Sequence, residues 1–116
     1  MADVDLAVQQ ISRLGITPTY TAIDATDTYF APWMDGRLIL HFKNTNGSIS
    51  TVTFDVQQTV DGLAITDPTV TIPATTGDKF IGPIPFAYKI LSGVDANLVK
   101  FSQNVATGVT VAALVA

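Results

Sequence analysis

Two stretches of alternating side chains, residues 37–43 and 49–56, constrain this chain more than any other feature. Arg37-Leu-Ile-Leu-His-Phe-Lys43 places Leu38, Leu40 and Phe42 on one face. Ile49-Ser-Thr-Val-Thr-Phe-Asp-Val56 does the same with Val52, Phe54 and Val56. A period of two is the mark of a strand buried on one side. Between them, Asn44-Thr-Asn-Gly-Ser48 is built from residues that tolerate positive φ and tight reversal. The expectation is an antiparallel hairpin whose six inward residues form the core of one sheet. Their burial is worth of order 10 kcal/mol gross, which backbone ordering largely offsets.

The rest of the chain extends this pattern. Short apolar or Thr-rich runs are expected as strands at Thr19–Ile23, Pro68–Ile72, Lys79–Ile81, Phe86–Leu91, Leu98–Ser102 and Val109–Leu114. Turn formers separate them: Asp35-Gly36, Asp61-Gly62, Thr75-Thr-Gly-Asp78, Ser92-Gly-Val-Asp-Ala96 and Thr107-Gly108. Gly82-Pro-Ile-Pro85 lacks ladder donors and reads as a crossing between sheets. Residues 24–36 read as a loop, although Tyr29, Phe30, Trp33 and Met34 crowd it with large side chains. Strands punctuated every ten or so residues describe one small all-β domain, a β-sandwich or β-barrel of about six to eight antiparallel strands. That domain is expected over residues 19–116, preceded by a mainly extended N-terminal arm over residues 1–18. The final strand is apolar on both faces and is expected to be covered on both.

Composition narrows the chemistry. The 116 residues suffice for one core, and 47% are apolar. Only 14% are charged, against roughly 25% in typical soluble domains. Sixteen Thr and twelve Val take the place of solvated helix formers, and all ten acids are Asp. Thr and Val are stiff at χ1 and suit pleated surfaces. Most Asp residues adjoin turns, where a short carboxylate caps local backbone. A net charge of −4 with dispersed basic residues argues against a nucleic-acid partner. No apolar run approaches a membrane span, and Met1-Ala-Asp-Val-Asp5 is not the basic start of a secretory signal. The chain has no Cys, so disulfide, thiol and Cys-zinc chemistry are excluded.

No catalytic, cofactor or metal site is expected. His41 is the single His and falls on the strand face opposite the core. It has no Ser or Cys positioned as a nucleophile beside it, and no G-x-S-x-G is present. Asp24 and Asp27 share a loop but lack calcium-loop spacing. Asn46-Gly47-Ser48 fits a glycosylation sequon and equally a turn, which needs nothing further. The aromatic loop is the best candidate for a role beyond folding. It either caps the open end of the core or serves as a hot spot for another subunit.

The chain also resembles a family of small acidic proteins encoded in tailed-phage structural gene clusters. The resemblance is carried by Thr17-Pro-Thr-Tyr20, Asp35-Gly-Arg37, Lys43-Asn44, Asp61-Gly62, Ile72-Pro73, Gly82-Pro83 and Val109-Thr-Val-Ala-Ala-Leu114, over roughly residues 11–115. Such proteins look like capsid decoration, or cement, proteins. The resemblance implies a virion protein on the capsid outer surface, made in the host cytoplasm. It would bind the major capsid protein, without nucleic acid or membrane, and form a homo-oligomer, with local threefold positions favouring a trimer. Head–tail connector or tail placement is the related alternative. A carbohydrate- or cell-surface-binding module using the Trp33 loop is the alternative of another class. The residues expected at the partner interface are Val4, Leu6, Val8 and Ile11 of the arm, with Tyr29, Phe30, Trp33 and Met34 of the loop. The arm is expected to add a strand to a neighbour's sheet.

Overall fold

The computed structural model describes residues 3–115. The chain is all-β, without a helix of seven or more residues. Its strands are β1 (Asp3–Asp5), β2 (Val8–Gln10), β3 (Thr21–Ile23), β4 (Thr28–Pro32), β5 (Leu38–Asn44), β6 (Ser50–Phe54), β7 (Thr59–Val60), β8 (Leu63–Ala64), β9 (Thr69–Ile72), β10 (Gly77–Ile81), β11 (Leu98–Gln103) and β12 (Val109–Val115). One sheet runs β1-β4-β11-β6-β9. The other runs β10-β5-β12-β2, with β3 pairing the first half of β12 and β2 the second. Strands β7 and β8 form a separate two-stranded ribbon.

The expected hairpin does not form. β5 pairs β10 and β12, whereas β6 pairs β11 and β9 in the other sheet. The Asn44–Ser48 segment is an arch that carries the chain across the core. Its side chains build it: Asn46 N–H donates to Asn44 Oδ1, Ser48 N–H donates to Asn46 Oδ1, and Asn44 Nδ2 donates to the Ser48 carbonyl, each at 2.9 Å. Alternation identified the inward faces correctly, since Leu38, Leu40, Phe42, Val52, Phe54 and Val56 are all buried. Alternation is satisfied equally by neighbours in one sheet and by strands facing each other from two. The link here is longer than the two-residue turn that would have forced pairing.

Both sheets bury a common core. Phe101 of β11 is its hub, with its ring 5.7 Å from Phe42 of β5, 5.9 Å from Tyr29 of β4 and 5.9 Å from Phe54 of β6. Val52, Val99 and Ile72 on one side meet Leu38, Leu40 and Val111 on the other. The last strand, β12, is buried on both faces within the chain: Val109, Val111 and Ala113 join the shared core, while Ala112 and Leu114 are covered on the outer face.

Three further expectations change. Residues 28–32 of the supposed loop are strand β4, in which Tyr29, Phe30 and Ala31 are all buried. An unbroken apolar run is what a central strand covered on both faces requires. Conversely, Phe86–Tyr88 is a single 3-10 turn, and only an isolated bridge, Lys89 to Val99, remains of the expected strand. Finally, the sheets are mixed. β1 runs parallel to β4 and β2 runs parallel to β12. Residues 3–10 of the expected arm therefore strap the chain's own two sheets together along one lateral edge. Leu6 is buried between the two strands, and its N–H donates to the Phe30 carbonyl at 2.8 Å. At the opposite edge β9 leads into β10, and the Lys79 ammonium donates to the Thr71 carbonyl at 2.8 Å.

Strand register gives the domain two distinct ends. At one lie the 44–50 arch, the 73–76 turn and the 104–108 turn, with Asp3 level with Thr28. At the other lie Trp33–Arg37, the β7–β8 ribbon, the 82–97 segment and Val115, which is level with Leu38.

Candidate interaction surface

The two ends differ in chemistry. The arch end is closed by its own hydrogen bonds. Asn46 Nδ2 donates to the Thr107 carbonyl at 2.9 Å, Thr75 N–H to the Asn46 carbonyl at 2.8 Å, and Thr45 N–H to the Gly108 carbonyl at 2.9 Å. Below them, buried Gln103 accepts from the Ser50 hydroxyl and from Val105 N–H and donates to the Val105 carbonyl. Asp24 at this end is engaged locally: Thr26 donates to its Oδ1 with both hydroxyl and N–H. These bonds hold the Asp24 carboxyl below its ordinary value.

The ribbon end carries the apolar surface. Nine large hydrophobic residues are exposed among the described residues. Seven of them, Ile11, Leu14, Val60, Leu63, Phe86, Leu91 and Val94, belong to segments at this end; Ile49 tips the arch and Phe80 lies on an outer face. Leu14 is 99% exposed and Val94 100%. Scattered exposed apolar residues need no explanation, but their concentration at one end of a small domain makes that end the candidate interaction surface.

Of the residues expected at an interface, Leu6, Tyr29 and Phe30 are buried within the chain. Tyr29 lies in the core, and burial raises its phenol above the ordinary value although its oxygen accepts Asp24 N–H at 2.9 Å. Phe30 points away from the core, with the Lys100 ammonium 6.0 Å from its ring centre. Val4, Val8, Trp33 and Met34 are half-buried and pack on the core. Ile11 is exposed, at the ribbon end. Trp33 is anchored internally: its indole N–H donates to the Ile84 carbonyl at 3.1 Å, Phe86 meets it edge-on at 5.4 Å, and Lys89 stands 4.9 Å over the ring. Trp33 and Ile11 share the ribbon end; Tyr29 and Phe30 lie along the body of their strand, away from it.

Leu14, Leu63, Leu91 and Val94 were not singled out by sequence reasoning. For three of them the signal is an apolar residue inside a turn: Arg13-Leu14-Gly15, Val60-Asp-Gly-Leu63 and Gly93-Val94-Asp95; Leu91 ends an expected strand and has no such signal. Leu14, Leu63 and Val94 each stand out from their turns into solvent.

His41 lies on the outer face of its sheet, as alternation places it, yet is only 6% exposed. Phe80 stacks on it with ring centres 3.9 Å apart, and Tyr20 meets it edge-on. Its Nε2 pairs with Asp78 and its Nδ1 with the Tyr20 hydroxyl at 2.7 Å. A carboxylate only accepts, so Nε2–H donates to it; in the neutral ring Nδ1 then accepts from Tyr20. Both ring nitrogens are thus engaged within the chain, and they pin residue 20 and β10 to β5. Lys43 stands 4.6 Å over the Tyr20 ring beside them. No group of three or more potential metal ligands occurs among the described residues. No family model, curated protein or solved structure matches the chain.

Proposed function

We propose that this chain is a phage capsid decoration protein: a β-sandwich that docks as a homotrimer on the outer surface of the assembled shell, against the major capsid protein. Two separate sheets around one core support a sandwich over a closed barrel. The observation that carries the docking reading is the gathering of seven exposed hydrophobic residues at the ribbon end, opposite an end whose polar groups are satisfied internally. A protein that binds the assembled shell and not its dissociated subunits converts binding into shell stability. At a free concentration one hundred times the dissociation constant, that is about 2.7 kcal/mol per site. Such work needs surfaces and a rigid body rather than reactive groups.

The test is co-sedimentation of the purified chain with expanded shells and with dissociated capsid protein. Binding to shells alone is expected. Leu63→Asp with Val94→Asp should abolish it, and Ile49→Asp at the arch end should leave it intact. Equal loss from both ends, or no shell binding at saturating concentration, sinks the reading. Retention of an immobilised glycan by the wild type and its loss in Trp33→Ala would favour a carbohydrate module instead.

A further inference from the structure

We propose that the Ser12–Gly15 turn of one copy seats Leu14 in the groove between residues 57–59 and 90–92 of a second copy. This head-to-tail contact closes the ring of the homo-oligomer, and it rests on the self-assembly part of the function proposed above. The knob is prepared for binding. Leu14 is almost fully exposed at the tip of a turn closed by Gly15 N–H donating to the Ser12 carbonyl at 3.0 Å. The loop is pinned on both sides. Ile11 N–H donates to the Val115 carbonyl at 2.8 Å, and Gln9 clasps the backbone of Thr19 at the far side. Little ordering entropy is left to lose when such a turn docks.

The groove has the chemistry a tight turn requires. It encloses about 250 Å³ and is lined by Gln57, Gln58, Thr59, Ile90, Leu91 and Ser92. Leu91, half-exposed, is the apolar side chain that the groove offers to one aliphatic partner, while Ile90 beneath it is buried. The amides and hydroxyls around it can pair with the peptide groups of the incoming turn. One wall is held in place by Gln58, whose Nε2 donates to the carbonyls of Phe86 at 2.6 Å and Lys89 at 2.9 Å. Charge is complementary as well. Arg13 directly precedes Leu14 in the chain, while Asp61 and Asp95 follow the groove residues Thr59 and Ser92 within a few positions. For copies that each carry −4, that local attraction offsets net repulsion.

Position makes the contact heterologous. Leu14 follows β2, at the lateral edge where β1 and β2 strap the sheets. The groove adjoins the end of β6, next to the opposite edge formed by β9 and β10. Knob and groove thus share one end of the domain but belong to different sheets, the knob at the strapped edge and the groove beside β11 and β6. Repeated head-to-tail pairing of such surfaces closes into a ring when the rotation allows.

Sedimentation velocity on the full chain, with Leu14→Asp and Leu91→Asp variants, tests this. Both residues are exposed, and unchanged thermal unfolding verifies each fold. The wild type should associate with rising concentration, and each variant should weaken association at least tenfold. A mixture of the two variants retains one intact knob and one intact groove, so it should form a one-to-one dimer and nothing larger. Wild-type association left unaltered in either variant, a mixture that stays monomeric, or a wild type monomeric at millimolar concentration overturns the inference. Shell binding is read separately. Rings that bind no shell support this contact while removing the shell as partner, and shell binding with variant-insensitive rings does the reverse.

Discussion

The side chain of Gln9 grips the backbone of Thr19 through two 2.7 Å hydrogen bonds, Nε2 donating to the Thr19 carbonyl and Oε1 accepting from its N–H. The pair closes the base of the loop that ends in Leu14. Gln9→Ala removes both bonds at a partly exposed site, for a cost of about 1–2 kcal/mol. The greater effect is local. Trypsin should cut after Arg13 several-fold faster in the variant, with little change elsewhere in the digestion pattern. Equal rates of cutting would show that the clasp does not hold the loop.

The hydrogen bond from His41, aided by electrostatic attraction to His41 and Lys43, outweighs desolvation and holds the Asp78 carboxyl below its ordinary value of 3.8. A depressed folded-state value stabilises the native state above the ordinary value, and the contribution is lost as pH falls through the folded one. Asp78→Asn should therefore be less stable than wild type at pH 7. The difference should shrink as pH drops below about 4. Urea midpoints measured from pH 7 to pH 2 check this, and a constant difference across that range would contradict it.

Gly77 opens β10 where the chain leaves β9. A Cβ there would lie 2.1 Å from the Pro73 carbonyl oxygen and 2.9 Å from Ile72 Cγ2. Backbone must move to admit it, and Ile72 is itself core. Gly77→Ala should cost about 3 kcal/mol or more, placing it in the severe tail of single substitutions. Chemical denaturation measures the loss; a cost under 1 kcal/mol would mean that the turn relaxes freely.

Phe101 touches aromatic rings from both sheets. Phe101→Ala leaves a cavity bounded by rigid strands, so relaxation is limited and the expected cost is about 3–5 kcal/mol. Phe101→Leu should recover more than half of that. Phe80→Ala, on the exposed outer face, should cost far less despite removing the same group, because much of its ring is already in water. Comparable losses at 80 and 101 would contradict a core shared between the sheets.

Much of the β-structure was legible because alternation reports burial directly. Leu38, Leu40, Phe42, Val52, Phe54 and the doubly apolar β12 could be assigned inward or outward without knowing any neighbour. Partner choice was not legible. Asn44–Ser48 reverses the chain equally well as a hairpin or as an arch, and only the competition of β10, β11 and β12 for the same edges decides. β4 was obscured because Asp24–Asp27 before it and Pro32 at its end are turn formers, while its own burial on both faces erases alternation. The parallel pairings of Asp3–Asp5 and Val8–Gln10 have no local signature, since parallel partners are distant in sequence. For the candidate surface the aromatic segment was the louder signal, yet large aromatics are also what a core selects, and Tyr29 and Phe30 are spent there. Leu14 and Val94 are quieter and better placed, because a turn offers them nowhere to hide.

The strap formed by β1 and β2 orients the molecule as well as closing it. Asp3 enters at the arch end, whereas Val115 finishes at the ribbon end. A passenger fused ahead of residue 3 would project away from the apolar face and be presented to solvent. One fused after Val115 would crowd that face. The same scaffold would thus carry cargo clear of its apolar face through residue 3 and against that face through Val115.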